Sequence, residues 1–382
     1  MKVNWFEFKY LDKSTNHSTQ TEIIKYFKQQ GVSIKYHCSF KKDKKYFGLS
    51  NEDIDYINVP KVRFVRGILI LLTMLMRNLR LHFSKEKSVQ IIDYVCLYAL
   101  LPVLIINKLF KRQIYVMDIR TYPVGDIYKE LPFHFRFAHT LACYFCDGIT
   151  YITEVMYQDS KQWSNSTVKQ CATWGSGYNP CIFSNENIKA VTDNEKISLL
   201  YHGGISISRG ILDLVKAVEI CIKNGHQVKL TLLGVWVDKL EIQNFIKNRG
   251  LCEYITCLDP VPIEEIPRYI EDSDFGVLPF PDFIGWRVSS PIKLFEYLGM
   301  GTPVIVTNIE CFSTEIGNKG YAIYAENSTP ESLAEAIVSA IKNKQLFKAE
   351  GIKAIPEAQE NYTWEAQADK FLRFIKKVVR NA

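Results

Sequence analysis

Neither G-x-G-x-x-G nor G-x-x-x-x-G-K-[ST] occurs in the 382 residues. These are the glycine-rich turns by which dinucleotide-binding and P-loop proteins cradle phosphates, so both classes lose their usual fingerprint. H-E-x-x-H and G-x-S-x-G are missing too, which argues against a zinc protease and a serine-hydrolase elbow. The ten cysteines are scattered, and the one close pair, Cys143 and Cys146, has no second pair to complete a metal site; packing is favoured there over redox or zinc chemistry. No apolar run reaches the ~20 residues that span a bilayer: the richest windows are GILILLTMLM (67–76) and YVCLYALLPVLIIN (94–107). The opening MKVNWFEFKY lacks an apolar signal segment. With the scattered cysteines, this leads to an expectation of free thiols in a cytoplasmic protein.

Forty-seven per cent of the residues are hydrophobic and 23% are charged, the composition of a globular protein rather than a disordered chain. Charge is uneven. Residues 1–190 hold 26 Lys and Arg against 16 Asp and Glu, whereas residues 191–382 hold 21 against 25. A basic first half suits an anionic partner or surface. Lys61, Arg63, Arg66, Arg77 and Arg80 bracket the 67–76 window, so that segment reads either as a helix lying on an anionic membrane or as a buried helix with a charged rim. No interleaved aromatic–basic motif for RNA is present, and the second half is acidic; nucleic acid is not an expected partner.

Strand-like and helix-like segments alternate along the chain. KVNWFEF, VSIKYHC, RQIYVMDIR and CDGITYIT read as strands, with TEIIKYFKQQG and the apolar windows as helices. The polar stretch 183–196 interrupts the series, which restarts with KISLLYHGG, QVKLTLLG, DFGVLPF and PVIVTN as strands. Such alternation predicts βαβ units and parallel sheets. Two doubly wound α/β domains are expected, residues 1–190 and 191–363, with ligands at the C-terminal ends of the strands in a cleft between them.

Three segments carry candidate chemistry. In YHGGISISRGILDL (201–214) a strand runs into Gly203 and Gly204, then to Arg209 and a helix; glycines let a ligand approach the backbone, and a helix start with an arginine suits a diphosphate. In SSPIKLFEYLGMGTPVIV (289–306), Ser289, Ser290 and Pro291 open a helix whose first turn holds Lys293, with Glu296 three residues on. A cation in a first turn opposes the helix dipole and so hints at an anionic ligand; the plainer reading is a Lys–Glu surface pair. In VMDIRTYPVGDIY (116–128), Asp118 and Arg120 close a predicted strand, and read either as catalytic groups or as a buried pair shaping the loop. His202 reads as a structural histidine. Asp272-Ser273-Asp274 spells DxD but ends a helix before an apolar strand, so no metal site is expected there.

SPIKLFEYLGMGTPVIV resembles the donor-site motif of retaining GT-B glycosyltransferases of family 4, the glycosyl transferases group 1. YHGGISISRGILDLVKA resembles their phosphate loop, LDPVPIEEIPRYIEDSDFGVLPF (258–280) their base-binding stretch, and NYTWEAQADKFLRFIKKV (361–378) their last helix, which returns to the first domain. The resemblance implies a GT-B-like fold of two Rossmann-like domains facing a central cleft: an acceptor domain (1–190), a nucleotide-sugar domain (191–363) and a returning helix (364–382). It implies retaining, metal-independent transfer of a sugar from a nucleotide diphosphate sugar, with no cofactor, to a saccharide or lipid-linked saccharide in surface polysaccharide synthesis. Glu296 would hold the ribose, and Arg209 the diphosphate, with the amides after Ser290. Asp118 and Arg120 would serve the sugar or the acceptor, and Asn16 and His17 would border the acceptor side. Two positions depart from the family. Val288 stands where a sugar-side glutamate is common, and Gly204 where an arginine is common, with Arg209 in the place of the loop lysine; Lys293 is the candidate substitute for the displaced phosphate contact. A nucleotide-sugar epimerase and a non-catalytic sugar-nucleotide-binding protein remain as rival readings. The basic first half and the tail cations Arg373, Lys376, Lys377 and Arg380 would suit the inner face of an anionic membrane.

Overall fold

The protein is described here by a computed structural model covering residues 1–11, 18–40, 49–50, 52–58, 63–123, 132–163, 170–184 and 196–382. Two compact units account for the chain: Met1–Gly175 with Trp364–Ala382, and Ser176–Thr363.

The first unit runs β1 (Lys2–Leu11), α1 (Ser18–Gln29), β2 (Ser33–Phe40), β3 (Ile54–Asn58), α2 (Arg63–His82), β4 (Val89–Ile92), α3 (Tyr94–Phe110), β5 (Ile114–Ile119), α4 (Phe133–Phe145), β6 (Gly148–Tyr151), α5 (Glu154–Ser160) and β7 (Cys171–Thr173). The strands form a parallel sheet in the order β3-β2-β1-β4-β5-β6-β7. β4 and β5 are buried at every residue, which is why they read as unbroken apolar runs rather than alternating ones. Asp93 starts α3 by accepting the Cys96 amide at 2.6 Å, and Lys111 stops it in the left-handed region at φ 47°. The chain moves one way from β1 to β3 and the other way from β4 to β7, so right-handed crossovers lay α1 on one face and α2, α3 and α4 on the other.

The second unit runs β8 (Lys196–Ile205), α6 (Ile211–Lys223), β9 (Gln227–Trp236), α7 (Lys239–Asn248), β10 (Ile255–Leu258), α8 (Ile266–Glu271), β11 (Phe275–Leu278), α9 (Ile284–Arg287), α10 (Ile292–Gly299), β12 (Val304–Thr307), α11 (Glu310–Ser313), β13 (Ala322–Ala325), α12 (Pro330–Lys342) and α13 (Lys344–Asn361). Its parallel sheet has the order β10-β9-β8-β11-β12-β13. Gly276 in β11 makes room for the Tyr297 ring: a Cβ there would lie 2.4 Å from it. That close approach lets α10 sink against the sheet, and every residue from Lys293 to Gly299 is buried.

The last helix, α14 (Trp364–Asn381), belongs to the first unit. Its Phe371 stacks on Trp174 with centroids 4.6 Å apart and meets Trp5 edge-on at 6.0 Å. The division between units falls at 175/176, not at 190. The polar composition of 183–196 suggested a linker, but the segment before it already packs in the second unit. Tyr178 lies against Gly299 and bridges Thr363, and Phe183 is part of that unit's core. Residue 190 itself, like Asn16 and His17, lies outside the described residues.

Candidate active site

The C-terminal end of β8 gathers the candidate groups of the second unit. Gly203 (φ 110°) sits opposite Gly234 (φ 146°) of β9 in the parallel register. A Cβ on Gly234 would come within 1.9 Å of the Gly203 carbonyl oxygen, so the two strands meet at a spacing only glycine permits. The chain then makes one 3-10 turn, Ile207–Arg209, fixed by the Ile207 amide donating to Asp238 at 2.8 Å. Gly210 (φ 77°) closes it against the Pro279 carbonyl oxygen, which a Cβ would approach to 1.9 Å.

This turn aims Arg209 back over the strand end. Its guanidinium lies 4.8 Å from the Trp286 ring centroid, and its Nε would be 3.4 Å from a Cβ on Gly204. Trp286 is held in place by donating to the Ser208 carbonyl at 3.0 Å. From α10, Lys293 runs along Gly203, where a Cβ would sit 3.0 Å from its Nζ. Nζ lies 3.4 Å from the Tyr201 hydroxyl, which itself donates to the Gly204 carbonyl at 2.7 Å. Among the described residues neither Arg209 nor Lys293 has a carboxylate within ion-pairing distance. The expected Lys–Glu surface pair is therefore corrected twice: Lys293 and Glu296 are both buried, and Glu296 faces His202, its Oε2 3.3 Å from Nε2. That contact lacks hydrogen-bond alignment, and His202 Nε2 has no hydrogen-bond partner.

Burial sets the ionisation here. It pushes the Glu296 carboxyl up to about 7, against the pull of Lys293. It pushes Lys293 down to about 7, with Arg209 adding to the shift. His202 falls to about 3 through burial and the neighbouring Lys293, so it is neutral at physiological pH. The serines hold the loop: Ser290 Oγ accepts the Ser176 amide at 2.9 Å, and Ser289 Oγ donates to the Trp286 carbonyl at 2.8 Å. In the first turn of α10 the Leu294 amide donates to the Pro291 carbonyl at 3.0 Å, which leaves the Ile292 and Lys293 amides as the ones without an acceptor inside the helix. Val288 is a buried apolar side chain directly after α9.

In the first unit Asp118 ends β5. Its Oδ1 accepts the Thr150 hydroxyl at 2.7 Å and the Trp174 indole N–H at 3.0 Å. Burial raises its carboxyl to about 6, partly offset by Arg120. Arg120 donates to the Trp174 and Gly175 carbonyls at 2.6 and 3.0 Å and lies 3.5 Å from the Trp174 ring centroid. Among the described residues the two form no ion pair with each other; each is tied to Trp174 instead. The pair reading is corrected accordingly, and Trp174 is the residue sequence reasoning missed. Also missed was Glu7 within β1, which accepts the Tyr36 hydroxyl at 2.5 Å and the Gln20 amide at 2.9 Å. Asp274 of the DxD run accepts Ser198 N–H and O–H and pairs with Lys344 at 3.0 Å. Among the described residues no three His, Cys, Asp or Glu side chains cluster as metal ligands.

Comparison with known proteins bears on the second unit most directly. Residues 196–343 match the family described as glycosyl transferases group 1. The D-inositol 3-phosphate glycosyltransferase of Paenarthrobacter aurescens (strain TC1) is 26% identical over 178 residues, 46% of this chain and 42% of that protein; the chain thus aligns with less than half the length of this relative. Among solved structures, sucrose-phosphate synthase from Thermosynechococcus elongatus superposes with a TM-score of 0.75 at 10% identity, covering 100% of both chains. Anabaena Alr3699/HepE, solved in complex with UDP and glucose, superposes with a TM-score of 0.72 at 12% identity, covering 99% of this chain and 100% of that one. The chain therefore has the two-sheet α/β architecture of the GT-B glycosyltransferases, and residues 196–343 of its second unit are similar to the glycosyl transferases group 1.

Proposed function

We propose that this protein transfers a sugar from a nucleoside diphosphate sugar to a hydroxyl of a saccharide or lipid-linked saccharide, with retention and without a metal ion. One observation carries the proposal: Arg209 and Lys293 converge, without carboxylate partners, on the Gly203–Gly204 turn and the first turn of α10. Two unneutralised cations, one of them buried, beside free helix amides make an anion site of diphosphate character. Glu296, one turn along α10, supplies an acceptor for ribose hydroxyls.

The chemistry follows from charge. Cleavage of the sugar–phosphate bond leaves a nucleoside diphosphate carrying more negative charge than the intact donor. Arg209, Lys293 and the α10 amides are fixed before the reaction, so they stabilise that charge without reorganising. A bound diphosphate also draws Lys293 fully into its charged form, supplying the cation a metal would otherwise provide. Asp118, half-titrated near pH 6, is the acidic group proposed to face the sugar or the acceptor, with Arg120 holding the Trp174 segment around it. The group 1 match and the P. aurescens glycosyltransferase support the reading.

The test is thermal unfolding with UDP-, GDP-, ADP- and CMP-sugars, for wild type and Arg209→Ala. One nucleotide class should raise the melting temperature, and the variant should lose the rise. Mass spectrometry with that donor and a panel of saccharide hydroxyls then separates transfer from epimerisation of the donor and from binding alone. A folded protein that responds to none of the donors overturns the proposal.

A further inference from the structure

Parallel strands make every crossover helix run back to the same edge of the sheet, so α2, α3 and α4 all end at the edge where the strands begin. α2 packs on α3, and α3 on α4. Their sequences contain no Asp or Glu in any of the three. A surface helix normally turns polar and charged residues outward; these expose apolar residues beside their cations Arg80, Lys108 and Arg136. On α2, Val65, Ile68, Leu72 and Met76 lie at three- and four-residue spacing and are exposed, Leu72 to 51%, while Ile70 and Met74 fill the buried side. On α4, Phe133 and Phe137 stack on each other in the open, 5.9 Å apart.

The pattern sharpens at the shared edge. Phe83 follows α2, Leu109 and Phe110 end α3, and Tyr144 ends α4; their exposures are 65%, 76%, 64% and 62%. Around them stand Arg80, Lys85, Lys87, Lys111 and Arg112, all exposed. Arg77 is not among them, since Asp55 holds it at 2.8 Å. Two carboxylates lie nearby: Lys2 holds Glu86 at 2.8 Å, and Asp147 accepts the Tyr115 amide at 2.8 Å while also facing Lys87, Lys108 and Lys111; one partly buried carboxylate among these cations leaves the edge with a net positive charge.

We propose that this edge and the outer face of α2–α4 dock on an anionic lipid leaflet. Single exposed apolar residues need no explanation, but aligned stripes on three adjacent helices make a patch that does. A leaflet of acidic lipids is both apolar beneath its headgroups and negative at its surface, which matches the two properties found together here. A second copy of the chain is the poorer occupant, because a two-fold contact would set these cations against themselves. The inference is independent of the donor site, whose residues belong to the other unit.

The experiment is sedimentation of the full chain with vesicles of phosphatidylcholine alone and of phosphatidylcholine mixed with phosphatidylglycerol. Binding is expected only to the mixed vesicles, and to weaken with salt. Lys85→Ala with Arg112→Ala should weaken it by about 25-fold, roughly fivefold per cation. Leu109→Ser with Phe110→Ser, at exposed sites that leave the core intact, should abolish retention while the melting temperature and its response to nucleotide sugars stay as in wild type. Failure to bind mixed vesicles, equal binding to both compositions, or variants that bind like wild type would each overturn the proposal. So would a wild-type dimer that ignores vesicles and that the Leu109→Ser, Phe110→Ser variant converts to monomer.

Discussion

Lys293 and Glu296 are three positions apart on a short buried helix, yet each costs the ligand-free fold something. Glu296 is raised from 4.5 to about 7, so between those values the native state holds the extra proton and stability falls as pH rises. Lys293 is lowered from 10.5 to about 7, so above 7 the unfolded chain holds the extra proton and stability rises with pH. The contribution of the pair is therefore least favourable near pH 7. Urea melts of wild type against Lys293→Met with Glu296→Gln should show the variant more stable there, by roughly 1–3 kcal/mol, and the gap should narrow on either side. The same lysine makes donor affinity pH-dependent: binding needs its charged form, so calorimetry should show affinity falling as pH passes about 7 in wild type and insensitive to that step in Lys293→Met. Arg209→Ala should cost about 10–100-fold in donor affinity, the loss of charge-assisted hydrogen bonds. Arg209 and Lys293 stand out as candidates in the sequence because a cation in a first turn and an arginine after a glycine turn are local signals, whereas Glu296 is singled out through the family resemblance. The burial of Lys293 and Glu296 was not legible there, since it depends on Gly276 letting Tyr297 into the sheet. Trp174, which holds both Asp118 and Arg120, lies more than fifty positions away and leaves no local mark.

At the scale of elements, the alternation of strands and helices could be read where strands are buried apolar runs, as in β5, β11 and β12; β7, three half-buried residues, carries no such run. The one-turn helices α9 and α11 carry too few residues to show a period. Two glycines, Gly234 beside the donor turn and Gly250 after α7, separate two kinds of requirement. Gly234 and Gly250 both have positive φ, but a Cβ on Gly234 would sit 1.9 Å from the Gly203 carbonyl oxygen, while one on Gly250 meets nothing within 4 Å. Gly250→Ala should cost only the conformational term, about 1–2 kcal/mol. Gly234→Ala must also push the strands apart; it should cost upwards of about 3 kcal/mol and abolish the nucleotide response, because the displaced backbone is the floor under Lys293. Chemical denaturation with a nucleotide-binding assay checks both. Equal losses at the two sites would mean that strand spacing does not matter to the turn.

On the scale of the whole molecule, the chain leaves its first unit at Gly175, builds the second, and returns at Trp364. Composition marked a linker too late, because polar residues report exposure and not which core a segment serves. The returning helix is part of the first unit's interior: Phe371 lies between Trp5 and Trp174, and Phe374 approaches Gly148 so closely that a Cβ there would meet its ring at 2.8 Å. Phe371→Ala should therefore destabilise the protein by about 3–5 kcal/mol, although it is eleven residues from the C-terminus. Every donor-site residue belongs to the other unit, so the rise in melting temperature given by the nucleotide sugar should survive the substitution even as the baseline falls. Differential scanning calorimetry with and without donor measures both quantities at once. A Phe371→Ala protein that is folded but no longer responds to donor would mean that the donor site depends on the first unit's core, and the division of labour between the units would have to be redrawn.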